Sequence, residues 1–326
     1  MKDIIIIGAG PAGISMAVEA VNAGISAEKI LIIEKAEEHS FTIKKYYPDN
    51  KLVTANYKGF AAACTGVMCL SDSSKHETIS YLDKAIEDHK LKVQYQESVY
   101  KIHLENSEQK FVVYTDKNNY ESKIVVIAVG ILGKPNKPDY KVPATLQEKI
   151  SFDVTSKKIS NAKVLVVGGG DSASEYCQYL HQAGNEVVLS YRKTNFNRMN
   201  EINKESLTAL AQSKEIKLLL GSEIISIQEK AGNPEVNFVD GTIEIFDQIV
   251  YALGGSTPEN FLKLMGIQFN GPDPVLKEGY ETTVPGLFLT GDLSAGKRGG
   301  SIIWAFNSSN TVMKKICENY LYCNPD

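Results

Sequence analysis

Gly8, Gly10 and Gly13 stand in the spacing G-x-G-x-x-G directly behind four isoleucines, Ile4 to Ile7. In that order a strand can turn sharply into a helix. Gly8 suits the tight turn, Gly10 leaves room for a diphosphate to approach the backbone, and Gly13 lets helix and strand pack closely. The anion would rest on the helix N-terminus, where unpaired N–H groups favour negative charge. The triplet alone would equally suit a packing turn in a parallel sheet. Its surroundings favour a dinucleotide: an amphipathic stretch from Ile14 to Ala23 stops at Gly24, and a second apolar strand runs from Ile30 to Ile33. Glu34 closes that strand, where a carboxylate can accept hydrogen bonds from a ribose 2′-hydroxyl.

The same pattern returns 160 residues later, where Lys163-Val-Leu-Val-Val-Gly168-Gly-Gly170-Asp171-Ser172-Ala173 aligns without a gap on the opening motif. Gly8 meets Gly168, Gly10 meets Gly170, Gly13 meets Ala173 and Gly24 meets Gly184. One chain therefore carries two dinucleotide loops. They differ at the position that reads the ribose, because the second repeat has Tyr191-Arg192-Lys193, with Arg198 beyond, where the first has Glu34. A carboxylate suits a free 2′-hydroxyl and a pair of cations suits a 2′-phosphate, so the first loop reads as an FAD site and the second as an NADPH site. The same cations would also suit a solvated strand end.

Further strands must carry these loops. Lys123 to Gly130 and Asp247 to Gly255 are both buried strands ending in glycine, where a chain can pass beneath a cofactor or cross between units. Pro285-Gly-Leu-Phe-Leu-Thr-Gly291-Asp292 is another, ending in an acid placed for a polyol, and a closing helix is expected from about Ile302 to Tyr320. The N-terminus of that helix could stabilise negative charge on a reduced flavin. Helical periodicity also covers Glu77 to His89, and the proline- and lysine-rich stretch from Gly133 to Asp139 is the best linker. The expected class is α/β, with two Rossmann-like domains, the NADPH domain (132–255) inserted into an FAD domain (1–131 and 256–326).

At 326 residues and 43% hydrophobic content the chain can fill about two ordinary cores. A formal charge of -4 gives no general basic field, so nucleic acid is not an expected partner. No apolar run is long enough to span a bilayer or form a signal segment, which makes a cytoplasmic location the expectation. Five cysteines, Cys64, Cys69, Cys177, Cys317 and Cys323, include no C-x-x-C pair, so reduced, mostly buried thiols are expected and neither disulfides nor a metal site. The five histidines show no ligand spacing. Lys44 to Lys51 reads by composition as a solvated loop.

Through both loops and Thr290-Gly291-Asp292, the whole chain resembles the two-domain flavoproteins of the thioredoxin reductase superfamily. The resemblance implies that Gly8, Gly10, Gly13 and Glu34 hold FAD pyrophosphate and ribose, and that Asp292 holds the ribityl chain. It assigns Gly168, Gly170, Ser172, Ala173, Arg192, Lys193 and Arg198 to NADPH. Pro11, Ala12, Lys35, Gly130, Asp171, Gly254, Gly291, Ser301 and Ile302, in the same segments, are candidate cofactor contacts as well. One departure matters for activity. Thioredoxin reductases carry a redox C-x-x-C a little upstream of the second loop, whereas Thr145 to Ser160 contains no cysteine. Bacillithiol disulfide reductase-like proteins place a cysteine in the first loop, where this chain has Ala12. What remains is similar to ferredoxin/flavodoxin-NADP reductases of thioredoxin reductase type, and within them to flavodoxin:quinone reductases. Arg192-Lys193 with Phe196 and Arg198, Gly133-Lys-Pro-Asn-Lys-Pro, and Tyr251-Ala-Leu-Gly-Gly-Ser-Thr-Pro carry that similarity. That branch implies hydride transfer from NADPH to flavin, then electrons to flavodoxin, ferredoxin or a quinone, with rotation about linkers near Gly133 and Gly254 and a homodimer. It also places Lys44, Lys45, Lys51, Lys297 and Arg298 around the flavin as a basic rim for an acidic carrier. A disulfide reductase working through an unpatterned thiol and an NADPH-responsive sensor are the alternatives. No side chain is singled out as catalytic, since the cofactors carry the chemistry.

Overall fold

The computed structural model describes residues 1–49, 51–55, 63–105, 110–130, 135–199, 201–254, 258–296 and 300–324. Its helices are α1 (Pro11–Asn22), α2 (Phe41–Tyr46), α3 (Lys75–Asp88), α4 (Asp171–Gln182), α5 (Glu201–Gln212), α6 (Glu259–Leu264), α7 (Asp292–Ala295) and α8 (Ile302–Ile316). None is long and apolar enough to cross a membrane.

Two sheets carry the two glycine loops. In the first, Lys2–Ile7 lies between Ile30–Ile33 and Asn119–Ile127, parallel to both. Leu287–Leu289 pairs in parallel with the end of Asn119–Ile127, while Lys110–Thr115 runs antiparallel along its beginning. A strand covered on both faces needs apolar residues at every position, which is what four consecutive isoleucines supply. Ile4 and Ile6 pack among the side chains of α1 and α8, and Ile5 and Ile7 pack on the other face with Phe111, Leu262 and Met265. The second sheet repeats this arrangement with Lys163–Val167 between Glu186–Tyr191 and Gln248–Tyr251, again all parallel. Val164 and Val166 face α4, whereas Leu165 faces the small antiparallel sheet built from Ile224–Lys230, Asn233–Phe238 and Ile243–Ile245. This is two Rossmann-like units, the second inserted in the chain of the first.

The expected crossings at 131/132 and 255/256 fall outside the described residues. Beside them, Asn136 donates its backbone N–H to the Gly254 carbonyl at 2.9 Å and its amide to the Leu253 carbonyl at 3.1 Å, so the two connections run together. The strand expected to reach Gly130 stops at Ile127, because the chain there passes beneath the first glycine turn and the Ala128 N–H turns to the Ile7 carbonyl. The closing helix is α-helical only to Ile316 and ends in a π turn, Cys317–Leu321.

Candidate functional site

The first loop is held by contacts that only glycine permits. Gly8 adopts φ +106°, and a Cβ there would lie 2.6 Å from the Ala128 carbonyl oxygen. A Cβ on Gly13 would lie 1.9 Å from the Gly8 carbonyl oxygen, which is the close helix-to-strand approach expected of the third glycine. Gly10 differs: a Cβ there would meet nothing within 4 Å. The space in front of it is open, and α1 begins at Gly10 without a side-chain cap. Uncapped first-turn N–H groups facing open space fit a diphosphate. Glu34 accepts from the Ala9 N–H through one oxygen and the Ala36 N–H through the other, both at 2.8 Å, so its carboxylate is fixed beside the loop.

Asp292 is brought to the same corner. A Cβ on Gly291 would come within 2.8 Å of the Ala12 methyl, which puts the end of Leu287–Leu289 against the first turn of α1. A knot of hydroxyls fixes it there, since Thr290 bonds Ser308 and Ser309 and Ser309 donates to the Ala12 carbonyl at 2.9 Å. Asp292 accepts from the Gly300 N–H at 2.6 Å, next to the start of α8. Ser301 caps α8 itself by accepting from the Trp304 N–H at 3.2 Å, leaving the other first-turn N–H groups for an anion. Pro11, Ala12 and Ile302 lie on these same turns, whereas Lys35 is exposed beyond Glu34 and Gly130, at φ +67°, follows the chain that supports Gly8.

The second loop repeats the arrangement with different chemistry at its rim. Gly168 sits at φ +157° with a potential Cβ 2.4 Å from the Ala252 carbonyl oxygen, and Gly170, like Gly10, faces open space at an uncapped helix start. Ala173 is fully buried where Gly13 lies in the first copy. Gly169 has no room for a side chain because the Tyr191 ring lies against it, and that ring stacks on Phe196 at 5.5 Å with 6° between planes. The stack folds the chain after Tyr191 back toward the loop, and Arg198 forms an isolated bridge with Gly170. Arg192, Lys193 and Arg198 are all exposed around the loop, as is Ser172. Such an arrangement suits a 2′-phosphate.

With this geometry in view, the comparisons are decisive at the level of family. The model for the pyridine nucleotide-disulphide oxidoreductases matches residues 5–291. The chain belongs to that family. Among proteins similar to it is a ferredoxin–NADP reductase of Ignicoccus hospitalis, 29% identical over 306 residues and covering 90% of each chain. A thioredoxin reductase of Borreliella burgdorferi is 26% identical, covering 90% of this chain and 85% of its own. Among solved structures, a bacillithiol disulfide reductase from Staphylococcus aureus superposes with a TM-score of 0.82 at 25% identity, covering 98% of this chain and 99% of that one. The oxidoreductase is FAD-dependent and uses NADPH, and the two open, uncapped helix starts at Gly10 and Gly170 fit those two dinucleotides.

Two expectations about this oxidoreductase are corrected by its structure. Cys64 is bonded to Cys69, and Cys317 to Cys323, so only Cys177 is a free thiol. Neither pair has the C-x-x-C spacing, yet the Cα separations of 5.6 and 4.5 Å are ones a disulfide spans readily. Nor is the stretch from Lys44 to Lys51 the solvated loop its composition suggests. Lys44 pairs with Glu38 at 2.9 Å, and the Lys51 ammonium lies 2.6 and 2.5 Å from the two oxygens of Glu175. Lys45 is exposed, and Lys297 and Arg298 lie outside the described residues. Burial alone would depress the Lys51 ammonium, but Tyr47, Glu175 and Asp171 outweigh it and its pKa lies above the ordinary lysine value. Tyr47, beneath that ammonium at 4.3 Å, is pushed up by burial and further by Glu175 and Asp292. No spacing in the sequence signals the Lys51–Glu175 pair.

Proposed function

We propose that this oxidoreductase takes electrons from NADPH through FAD and delivers them to a flavodoxin or ferredoxin, or to a quinone, without a dithiol relay. FAD takes the loop at Gly8, Gly10 and Gly13 with Glu34 and Asp292, and NADPH takes Gly168, Gly170 and Ala173 with Arg192, Lys193 and Arg198. The two units divide as 1–131 with 256–326 and 132–255. The observation that carries this reading is that two matched loops follow the central strands of two sheets and that, among the described residues, the second has Arg192, Lys193 and Arg198 exposed where the first has Glu34. When bound, the cofactors supply the chemistry, a hydride passing from nicotinamide C4 to flavin N5. The chain binds and orients them: glycines admit the diphosphates, Glu34 and the cations sort the two riboses, and α8 points its N-terminus at the flavin side.

The acceptor is supported by the ferredoxin–NADP reductases among the relatives and by the cysteine-free stretch from Thr145 to Ser160. Turnover in the cytoplasm, by a homodimer, goes with this reading. Stopped-flow bleaching of the flavin by NADPH, followed by an acceptor screen with flavodoxin, ferredoxin, soluble quinones and low-molecular-weight disulfides, tests it. Failure of NADPH to bleach the flavin overturns it. A second reading is favoured by one observation. Cys64 and Cys69 are bonded in a segment tied to α8, where Asn307 accepts from the Thr65 N–H at 3.0 Å, and Asn307 lies five residues after Ile302. On that reading Cys64 and Cys69 would be the electron acceptor, and a bound FAD would supply the two electrons that, with two protons, turn their disulfide into two thiols. Trapping two new thiols after anaerobic NADPH addition separates it from the first.

A further inference from the structure

Away from both glycine loops, one short segment of the first unit is fastened to the second at both of its ends. Lys45 accepts a hydrogen bond from the Thr155 hydroxyl through its carbonyl, and Lys51 clasps Glu175 with both carboxylate oxygens. The lysine and glutamate side chains are only 16% and 14% exposed, unlike the surface ion pairs elsewhere in the chain. A bidentate, shielded pair is costly to break, because removing either partner strands a buried charge.

Its placement gives the pair a role. Glu175 lies on α4 four residues after Asp171, so at 1.5 Å per residue it stands about 6 Å behind the helix start that faces the second glycine loop. Asn203 of α5 donates to both Asp171 and Glu175, at 3.3 and 3.4 Å, which makes that turn of α4 one connected surface. On the other side, Tyr47 packs beneath the Lys51 ammonium and against the apolar cluster shared by α1 and α8. Residues 45–49 and Lys51 therefore stand between the start of α4 and the α1–α8 side of the first unit.

We propose that Lys51 is a positioning residue for hydride transfer, seating the start of α4 against the flavin-side unit so that the two dinucleotide sites face one another. The inference rests on the assignment of the two loops to FAD and NADPH. It concerns orientation and not affinity, because Lys51 and Glu175 lie behind the loop and neither belongs to the residues that would hold the nucleotide.

The consequences separate cleanly. In flavin-loaded protein, Lys51→Met and Glu175→Gln should slow flavin reduction at saturating NADPH by at least about tenfold, while NADP⁺ affinity by titration stays within about threefold. Lys51→Arg should retain most of the rate, and the exchanged pair Lys51→Glu with Glu175→Lys should recover part of it. In cofactor-free protein, hydrogen exchange at residues 45–49 and in the first turn of α4 should quicken by about tenfold in Lys51→Met and recover in the exchanged pair. If Lys51→Met fails to hold flavin, Glu175→Gln carries the same test with side-chain size preserved. Variants that reduce flavin at the wild-type rate, or that lose affinity and rate in proportion, overturn the positioning role. Unchanged exchange overturns it also. Wild-type flavin that NADPH does not bleach would remove the assignment beneath it, and so is told apart from failure of Lys51 alone.

Discussion

Alanine substitutions at Gly10, Gly170 and Gly13 should have three different outcomes, and the difference follows from where each Cβ would land. Gly10 has an ordinary backbone, φ −79°, and open space in front of it, so Gly10→Ala should leave the cofactor-free fold nearly as stable as before. The added methyl instead occupies the approach to the first turn of α1. Losing two charge-assisted hydrogen bonds from backbone N–H to diphosphate, at about 1.5–3 kcal/mol each, weakens FAD binding by about 10²- to 10⁴-fold. Gly170→Ala, also at negative φ with open space, should keep FAD and lose NADPH by a similar factor. Gly13→Ala should fail to fold, since its Cβ would stand 1.9 Å from a backbone carbonyl oxygen that cannot move without the whole turn. Flavin absorbance of the purified variants, thermal melting of the cofactor-free protein and NADP⁺ titration read the three outcomes. Wild-type FAD affinity in Gly10→Ala, or loss of flavin in Gly170→Ala, would refute the assignment of the loops.

The cations around the second loop should set nucleotide preference. Removing Arg192 and Lys193 is expected to cut the ratio of kcat/KM for NADPH over NADH by about 10- to 100-fold, mainly through KM for NADPH, and equal use of both nucleotides by the unmodified protein would contradict this. Replacing Cys64 and Cys69 together with alanine should leave NADPH-to-quinone turnover within a few-fold; loss of turnover in folded, flavin-loaded protein would favour the disulfide reading. Cys177 is fully buried, and burial pushes its thiol well above the ordinary range. Above about pH 8.5 the unfolded chain therefore sheds a proton that the native chain keeps, so stability should fall by about 1.4 kcal/mol per pH unit from this group. Denaturant melts at pH 8.5 and 9.5 should show that extra loss in the wild type and not in Cys177→Val.

The parts legible in the sequence are those where a single residue type is forced by local geometry. Gly8, Gly13 and Gly168 must be glycine because a carbonyl oxygen already fills the place of a Cβ, and that demand travels with the strand before it and the helix after it. Hence the two units, their internal repeat and the corner occupied by Glu34 could be read from spacing alone. The limits of the strands were less legible. Asn119–Ile127 ends early because Ala128 must support the neighbouring loop, a requirement set by tertiary contact and not by the apolar run.

Lys51 shows why the remaining part could not be read. In sequence it belongs to a basic, aromatic stretch with the composition of a solvated loop, and nothing in its neighbours distinguishes it from Lys44 or Lys45. In the structure it is shielded by a carboxylate 124 residues away. The resemblance places it in a rim for an acidic carrier; pairing withdraws it, because a lysine neutralised by Glu175 adds little field at the surface. The same reasoning covers Cys64 and Cys69, which are bonded across a turn that packs on α1, where the Val67 N–H donates to Glu19 at 2.7 Å, and not in a recognised redox spacing. Among the described lysines of that rim Lys45 alone is exposed, so their share of an association step should respond only weakly to salt, whereas the interdomain pair, being shielded, should hold at ionic strengths that erase surface steering.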